Sequence, residues 1–241
     1  MEQKVRLNKL LSDYGVCSRR EADRLVEAGK VYVDGEKAVL GLKVSPEQII
    51  ECNGKKIETG KKKNIVIVFN KPRGIVCTTS KMEKDNIIDF INYPERIYPI
   101  GRLDKESEGL ILLTNNGELM DAILRSRNGH EKEYHVKVNK PVTGAVKNAM
   151  EQGVPILGTI TKPCKINMIK PNEFSIVITQ GLNRQIRRMC EYFDLKVISL
   201  KRTRIMNINL GNLKVGNYRN ITLDEFRELE NQTKGMKYYN E

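Results

Sequence analysis

The chain has 241 residues, with 42 Lys and Arg against 30 Asp and Glu, which gives a formal net charge of +12. This length allows one large domain, or a large and a small domain that each bury a core. The longest apolar runs, at residues 65–69 and 110–113, are far shorter than the roughly 20 residues of a membrane-spanning helix. The first residues show no pattern of a secretory signal, so we expect a cytoplasmic protein that spans no membrane.

The cysteines and histidines exclude several reaction types. The five cysteines are scattered and form no C-x-x-C pair, so we expect reduced thiols used mainly in packing. The two histidines, His130 and His135, have no cysteine nearby, which argues against a zinc site and against Ser-His-Asp chemistry. The sequence also lacks a G-x-x-x-x-G-K-S/T segment, which excludes a P-loop nucleotide-binding site.

The excess of basic residues indicates a polyanionic partner, and nucleic acid is the first candidate. Two short helices at the N-terminal end supply part of this charge. Apolar residues recur with helical period at residues 7–14, and Ser18 and Glu21 have the spacing of a capping box that begins a second helix, ending at Gly29. The outward-facing basic residues are Arg6, Lys9, Arg19, Arg20 and Arg24. Such a face either binds phosphates or is merely solvated, and both interpretations are open at this point.

A short hairpin and a linker follow the two helices. A strand at residues 31–33 leads into the turn pair Asp34-Gly35, and a further strand is predicted at residues 49–50. Residues 59–64 contain no apolar side chain and include three consecutive lysines, which is typical of a linker. We therefore expect one domain at residues 1–60, a second at residues 65–230 and a frayed tail at residues 231–241.

Strand-like and helical segments alternate in the second predicted domain. Strands are predicted at residues 65–69, 110–113, 134–138, 174–179 and 196–200. Helices are predicted near residues 118–124, 144–152 and 183–192. Because several strands are joined by long irregular connections, we expect an α+β fold with a mixed, mainly antiparallel sheet flanked by helices and loops.

One loop stands out as a place for chemistry. Residues 98–109 are polar, contain two glycines and directly precede the apolar strand at residues 110–113. A loop held between hydrophobic segments can present a carboxylate at the edge of a sheet, and Asp104 is the best placed. Taken alone, an Asp in a glycine-containing loop is more often a turn or cap residue.

The N-terminal pattern resembles a known RNA-binding module. Residues 6–11 read R-L-N-K-L-L, residues 17–22 read C-S-R-R-E-A and residues 29–35 read G-K-V-Y-V-D-G. Together they resemble the S4 RNA-binding domain over about residues 5–52. The resemblance implies a unit that docks on structured RNA and says nothing about chemistry.

The second predicted domain resembles pseudouridine synthases. G-R-L-D-x-x-S-E-G-L at residues 101–110, followed by L-T-N-x-G, is similar to their catalytic motif. Three further elements stand in the family's order: N-K-P-R-G at residues 70–74, E-K-E-Y at residues 131–134 and Q-G-L-N-R-Q-I-R-R-M at residues 180–189. With an S4-like domain in front, the arrangement resembles the branch that modifies ribosomal RNA. Segments at residues 95–98, 153–159 and 202–207 are most similar to its large-subunit subfamily called type F.

The resemblance implies a substrate and a reaction. The expected substrate is 23S ribosomal RNA, free or in a ribosome assembly intermediate, and the expected enzyme is a monomer. Conversion of uridine to pseudouridine breaks the C1′–N1 bond, turns the uracil and joins C5 to C1′, so no cofactor or metal is demanded. The step needs an ionised carboxylate, a closed site and a group that takes the C5 proton.

Site residues follow from the same resemblance. It makes Asp104 the essential carboxylate, pairs Arg187 with it, and makes Tyr134 the ring that stacks on the target uracil and a candidate base at C5. Arg102 resembles the side chain that fills the space left by the flipped nucleotide. The other basic residues expected to bind RNA are Lys71, Arg184, Arg188, Arg202 and Arg204. Lys71 is alternatively interpreted as a structural residue or one close to the sugar. Both histidines are expected at solvated strand ends, with contact to RNA as the alternative.

Residue patterns agree with two of these roles. On a helical projection Arg187 lies about 100° from the centre of the apolar face, where it can reach a partner at the boundary between core and cleft. A fixed cation keeps a shielded carboxylate ionised. Tyr134, Val136 and Val138 alternate with polar residues, which places Tyr134 on one face of a half-buried strand.

Three questions stay open at this stage. Asp104 either attacks C1′, adds to C6 or removes a proton from the sugar. The specificity is either that of type F or that of a sister type: B, E or the small-subunit type A. The chain is either an enzyme or a non-catalytic S4-type RNA-binding or ribosome assembly factor, and the joint presence of Asp104, Tyr134 and Arg187 favours the enzyme.

Overall fold

The computed structural model describes residues 4–45, 47–59, 64–124 and 129–233. The described residues form two compact units: those up to Asn64 together with Asn115–Gly117, and those of Ile65–Thr114 and from Glu118 onward. The predicted linker at residues 59–64 and the predicted tail at residues 231–241 lie partly outside the described residues. No helix in the described ranges has the length and apolar character needed to cross a bilayer.

The first unit contains two helices and six short strands. Its elements are β1 (Val5–Arg6), α1 (Leu7–Asp13), α2 (Arg19–Glu27), β2 (Val31–Val33), β3 (Glu36–Lys37), β4 (Lys43–Val44), β5 (Ile50–Cys52) and β6 (Lys55–Lys56). Strands β3-β2-β5-β6 form one antiparallel sheet, and β1 pairs with β4. Ser18 caps α2 by accepting a hydrogen bond from the backbone N–H of Glu21 at 3.1 Å, as the sequence predicts. The predicted helices and hairpin are confirmed.

The second unit is built on a large mixed sheet. Its strands are β7 (Val66–Lys71), β8 (Tyr98–Ile100), β9 (Glu108–Thr114), β10 (Lys132–Val138), β11 (Pro155–Ile156), β12 (Thr159–Ile160), β13 (Lys165–Lys170), β14 (Glu173–Ile178), β15 (Val197–Ile205), β16 (Ile208–Asn209) and β17 (Tyr218–Asn220). Its helices are α3 (Ile87–Ile91), α4 (Gly117–Leu124), α5 (Gly144–Gln152), α6 (Gln185–Tyr192) and α7 (Leu223–Gln232).

Strand pairing confirms the predicted α+β architecture. The order in the main sheet is β13-β14-β10-β15-β9-β7-β17, with β16 on β15 and β8 on β9. The pairing of β15 with β9 is parallel, and the other described pairs are antiparallel. Strands β7 and β9 are buried on both faces: Ile67 and Leu113 belong to one core cluster, Val68 and Leu112 to the other. Double burial explains why these strands read as continuous apolar runs.

The parallel pair brings three segments of the site together. Gly109 at the start of β9 lies opposite Arg202 of β15, and Arg202 lies opposite Tyr134 of β10. Gly109 has a φ of +104°, and a Cβ there would lie against the backbone oxygen of Arg202 and 2.7 Å from its nitrogen. Only glycine permits this approach, so the loop carrying Asp104 enters the sheet directly beside Tyr134 and Arg202.

The C-terminal end differs from the sequence expectation. Helix α7 continues to Gln232 with a capping box at Thr222, and Thr233 is buried with its hydroxyl donating to the carbonyl of Leu229. Residues 231 and 232 therefore continue the helix with exposed side chains and Thr233 is buried, because Leu229 anchors the last turns in the core. Residues 234–241 lie outside the described residues.

Candidate active site

The loop that carries Asp104 is tied to the end of β7. The backbone N–H of Gly74 donates to the carbonyl of Lys105 at 2.8 Å, and Lys71 Nζ donates to the carbonyls of Pro72 at 2.7 Å and Lys105 at 3.4 Å. The backbone N–H of Ser107 donates back to the carbonyl of Asp104 at 3.0 Å. The N-K-P-R-G segment thus fixes the backbone next to Asp104, whose side chain remains 33% exposed.

The expectation that Lys71 binds RNA is wrong. Its side chain is fully buried, and burial lowers the pKa of its ammonium. A lysine enclosed in this way cannot reach a phosphate on the surface. Its hydrogen bonds to two backbone carbonyls make it a support for the loop.

Arg187 and Asp104 form the predicted pair. Nε of Arg187 lies 3.8 Å from Oδ2 of Asp104, and its Nη2 donates to the carbonyl of Glu106 and to Oγ of Ser107, each at 3.2 Å. The same guanidinium therefore forms an ion pair with the carboxylate and hydrogen bonds with the loop that follows it. Burial lowers the pKa of Arg187, the nearby Arg184 lowers it further, and the charge of Asp104 opposes both effects.

Local sequence explains why Arg187 points this way. Ile186, Met189 and Cys190 of α6 are buried in the core, and Arg187 projects from the edge of that apolar face. Arg184, at the beginning of the helix, has a φ of +50° and is exposed. Arg188 is half-buried and donates to the carbonyl and side-chain oxygens of Asn183 at 3.1 and 3.2 Å.

Tyr134 lies close to Arg202 in the interior of the site. Tyr134 is 8% exposed and Arg202 is 3% exposed. Nη1 of Arg202 is 3.4 Å from the Tyr134 hydroxyl, Nε donates to the carbonyl of Leu110 at 2.6 Å, and the guanidinium carbon is 5.9 Å from the ring centroid. The head of Arg202 is therefore enclosed beneath the tyrosine and lines the cavity rather than the outer surface, and its role in RNA binding stays a prediction.

Arg204 also departs from its expected role. Its guanidinium is 2.9 Å from the carboxylate of Glu131 and 3.0 Å from that of Glu133. These two carboxylates already neutralise it and raise its pKa. The prediction that Arg204 binds RNA is therefore not supported by its surroundings.

Asp104 lies between a cavity and an open groove. The cavity measures about 240 Å³ and is lined by Tyr134, Leu182 and Arg202 as well as Asp104. The groove measures about 760 Å³ and extends along residues 76–83. Arg102 and Arg184, both exposed, line the cavity and the groove alike, so cations flank the entrance next to the carboxylate.

Two residues that line the cavity differ from what the sequence predicts. His130 was expected to be solvated but is 9% exposed, with Nε2 3.2 Å from the carbonyl of Ala122, and burial lowers its pKa. Lys132 lines the same cavity and was not singled out. It stands two positions before Tyr134 in a strand, so the same alternation that orients the tyrosine could have found it.

The predicted basic residues of the first unit lie mostly at its surface. Arg6, Arg19, Arg20 and Arg24 are exposed and Lys9 is half-buried. Lys9 is 3.7 Å from Asp13, and Arg24 is 3.3 Å from Glu21. Arg6, Arg19 and Arg20 are therefore the exposed cations of this set for which no ion pair is seen among the described residues.

The site has the features of an enzyme that acts on one nucleotide of a longer nucleic acid. A carboxylate is paired with a guanidinium at the mouth of a nucleotide-sized cavity, and an open groove leads away from it. The chain belongs to the RNA pseudouridylate synthase family, whose model matches residues 65–192, and the S4 domain model matches residues 5–50. The family resemblance seen in the motifs is thereby confirmed.

Individual relatives cover nearly the whole chain. It is 50% identical over 98% of its length to Dual-specificity RNA pseudouridine synthase RluF of Escherichia coli (strain K12), of which the match covers 83%. It is 36% identical over 93% of its length to Ribosomal large subunit pseudouridine synthase B of Bacillus subtilis (strain 168), of which the match covers 95%. A pseudouridylate synthase crystal structure matches with a TM-score of 0.68 and 28% identity, covering 93% of this chain and 99% of that one.

Proposed function

We propose that this protein converts uridine to pseudouridine in ribosomal RNA, and that its substrate is 23S rRNA. The observation that carries the proposal is the pairing of Arg187 with Asp104 at a cavity that also contains Tyr134. The names of the relatives support the proposal. One is a dual-specificity RNA pseudouridine synthase, and another is a ribosomal large subunit pseudouridine synthase.

Each site residue then has a defined task. Asp104 acts at the sugar of the flipped uridine, and Arg187 places a positive charge 3.8 Å from its carboxylate. Tyr134 stacks on the uracil and is the candidate acceptor of the C5 proton. Arg102 and Arg184, at the shared entrance, contact the RNA beside the flipped nucleotide, with Arg102 in the vacated space.

The first unit supplies affinity in this scheme. Arg19 and Arg20 are exposed cations that can neutralise phosphates without reading sequence. The groups of the cavity all come from the second unit of one chain, so we propose that a cytoplasmic monomer is active. A non-catalytic RNA-binding factor would have no use for a charged pair at a nucleotide-sized cavity.

Mapping of pseudouridine in cellular RNA tests the proposal. Pseudouridines are located in 23S rRNA, 16S rRNA and transfer RNA from cells with and without the protein. We expect a site in 23S rRNA to disappear with the protein and to return when it is resupplied. A site lost only from 16S rRNA would overturn the substrate, and an unchanged map would overturn the enzymatic function. Incubating naked 23S rRNA and large-subunit precursors with the pure protein then identifies the form that is modified.

A further inference from the structure

The cavity beside Asp104 contains two cations without a carboxylate partner. Lys132 and Arg202 both line it, and neither has an Asp or Glu oxygen within 4 Å among the described residues. Arg202 is 3% exposed. The pKa of Lys132 is lowered, mainly by burial and further by the charge of Arg202. Lys132 is half-buried. Placing two like charges in one cavity is costly, so the arrangement calls for an explanation beyond packing.

The two carboxylates nearest to Lys132 in the chain pair with a different residue. Glu131 and Glu133 flank Lys132 in the chain, yet both pair with Arg204 at 2.9 and 3.0 Å. Alternation along β10 places them on the face opposite Lys132 and Tyr134. Among the described residues, the hydrogen bond of Lys132 is to the carbonyl of His130, at 3.2 Å. An ammonium has three donors, so two remain for a ligand.

The position of Lys132 indicates which part of a nucleotide it meets. Two exposed cations at the entrance, Arg102 and Arg184, are available to the phosphates of a bound RNA. Lys132 lies instead among enclosed groups, on the same strand face as Tyr134 and beside the buried Arg202 and His130. In a flipped nucleotide the base enters farthest, so the base is the part that reaches this wall.

We propose that Lys132 is a further catalytic residue, which donates a hydrogen bond to a carbonyl oxygen of the detached uracil and stabilises its negative charge. This rests on the proposed function. When the C1′–N1 bond breaks, its electron pair goes to N1 of uracil and is delocalised onto O2 and O4. The pair then forms the C5–C1′ bond, and the C5 proton leaves to a base. The charge on the uracil exists only between these two bond changes, where a fixed cation in an enclosed site is most effective.

The test compares Lys132→Met with a matched change, Lys137→Met, on the opposite face of the same strand. Lys137 is exposed and 3.2 Å from Glu173, outside the cavity. Single-turnover rates are measured with saturating enzyme on the RNA that the wild type modifies. We expect Lys132→Met to lower the rate about 10²- to 10³-fold, with RNA affinity unchanged, and Lys137→Met to leave both unchanged. Lys132→Gln keeps hydrogen-bond donors but carries no charge, so its rate should lie between the rates of Lys132→Met and Lys137→Met.

Two further readouts separate this role from others. Removing a half-buried cation that has no carboxylate partner should leave the melting temperature of Lys132→Met equal to or above that of the wild type. With 5-fluorouridine at the target, the fluorine stabilises the departing uracil anion, so the loss in C1′–N1 cleavage caused by Lys132→Met should shrink.

An unchanged rate in Lys132→Met would overturn the proposal, and so would equal losses with uridine and 5-fluorouridine. Weaker binding with a shallower salt dependence and an unchanged rate would mean a phosphate contact instead. Each variant's rate is compared with the wild-type rate on the RNA that the wild type modifies. If that RNA is not 23S rRNA, the proposed substrate is wrong, but the comparison still tests the role of Lys132.

Discussion

Arg187 holds Asp104 and the backbone behind it with one guanidinium. Nε lies 3.8 Å from the carboxylate, and Nη2 donates to the carbonyl of Glu106 and the hydroxyl of Ser107 at 3.2 Å. Because Asp104 is 33% exposed, such a pair contributes only about 0–1 kcal/mol to stability. The pair matters for the reaction, since the same guanidinium places a positive charge beside the carboxylate and holds the backbone of the loop that carries it.

Replacement of Arg187 should therefore damage activity more than folding. We expect Arg187→Met to lower the single-turnover rate at least about 10²-fold. Arg187→Lys should recover part of it, because lysine keeps the charge but not the planar contact to three oxygens. Pseudouridine formation and thermal melting measure the two effects. Arg227→Gln on the exposed face of α7 is the control, and a fully active Arg187→Met would contradict the assigned role.

Gly109 should tolerate no side chain. A Cβ at its φ of +104° would meet the backbone of Arg202, so Gly109→Ala must separate β9 from β15 or strain both. We expect a loss of about 2 to 6 kcal/mol in the free energy of unfolding. Gly144→Ala, at the start of α5 with nothing within 4 Å, should be neutral or slightly stabilising. Chemical denaturation of the two variants side by side checks the contrast, and similar losses would contradict the close-approach argument.

Arg19 and Arg20 should contribute to RNA affinity through phosphates alone. Their joint replacement by Gln should weaken binding and reduce the slope of log affinity against log salt by about 1 to 2. The rate of the bound complex should not change, because both residues lie in the first unit. The same double change at Lys196 and Lys214, exposed in the second unit, provides the comparison. Equal slopes for the two double variants would mean that the first unit is no RNA anchor.

His130 should make stability depend on pH. Burial lowers its pKa in the folded protein, while the unfolded chain titrates near 6.5. As the pH falls below about 6.5, the unfolded chain binds a proton that the folded protein does not, and stability decreases until the lowered pKa is passed. Between pH 7.5 and 5.5 the free energy of unfolding of the wild type should fall by up to about 1.4 kcal/mol more than that of His130→Gln. Urea denaturation at both pH values measures the difference, and parallel losses would contradict it.

The sequence predicts best where one physical signal dominates. The doubly buried strands β7 and β9 are continuous apolar runs, and α5 begins and ends at the predicted residues. Strand β13 was missed because Ile166 is the one buried side chain within it, which leaves no clear alternation. The short strands β11 and β12 are too brief for any periodicity. Helix α7 was not predicted, and residues 231–233 were assigned to a frayed tail because the last turns of α7 are polar apart from Leu229.

The candidate site was predicted in part for the same reason. Asp104, Tyr134 and Arg187 stand in motifs that a single chain displays, and the structure brings them to one place. The burial of Lys71 and Arg202 could not be read from sequence, because a basic residue in a polar segment normally indicates exposure. Tertiary contacts decide otherwise: Lys71 satisfies two loop carbonyls, and Arg202 satisfies the carbonyl of Leu110 beneath Tyr134.

The proposed reaction depends most on the charge of one side chain, and Asp104→Asn removes that charge without changing the size of the residue. The RNA carries tritium at C5 of uridine, so each uridine that becomes pseudouridine releases its label to water. Asp104→Asn should bind this RNA as tightly as the wild type and release no tritium above background. Release at the wild-type rate would contradict the central claim that the carboxylate of Asp104 drives the reaction.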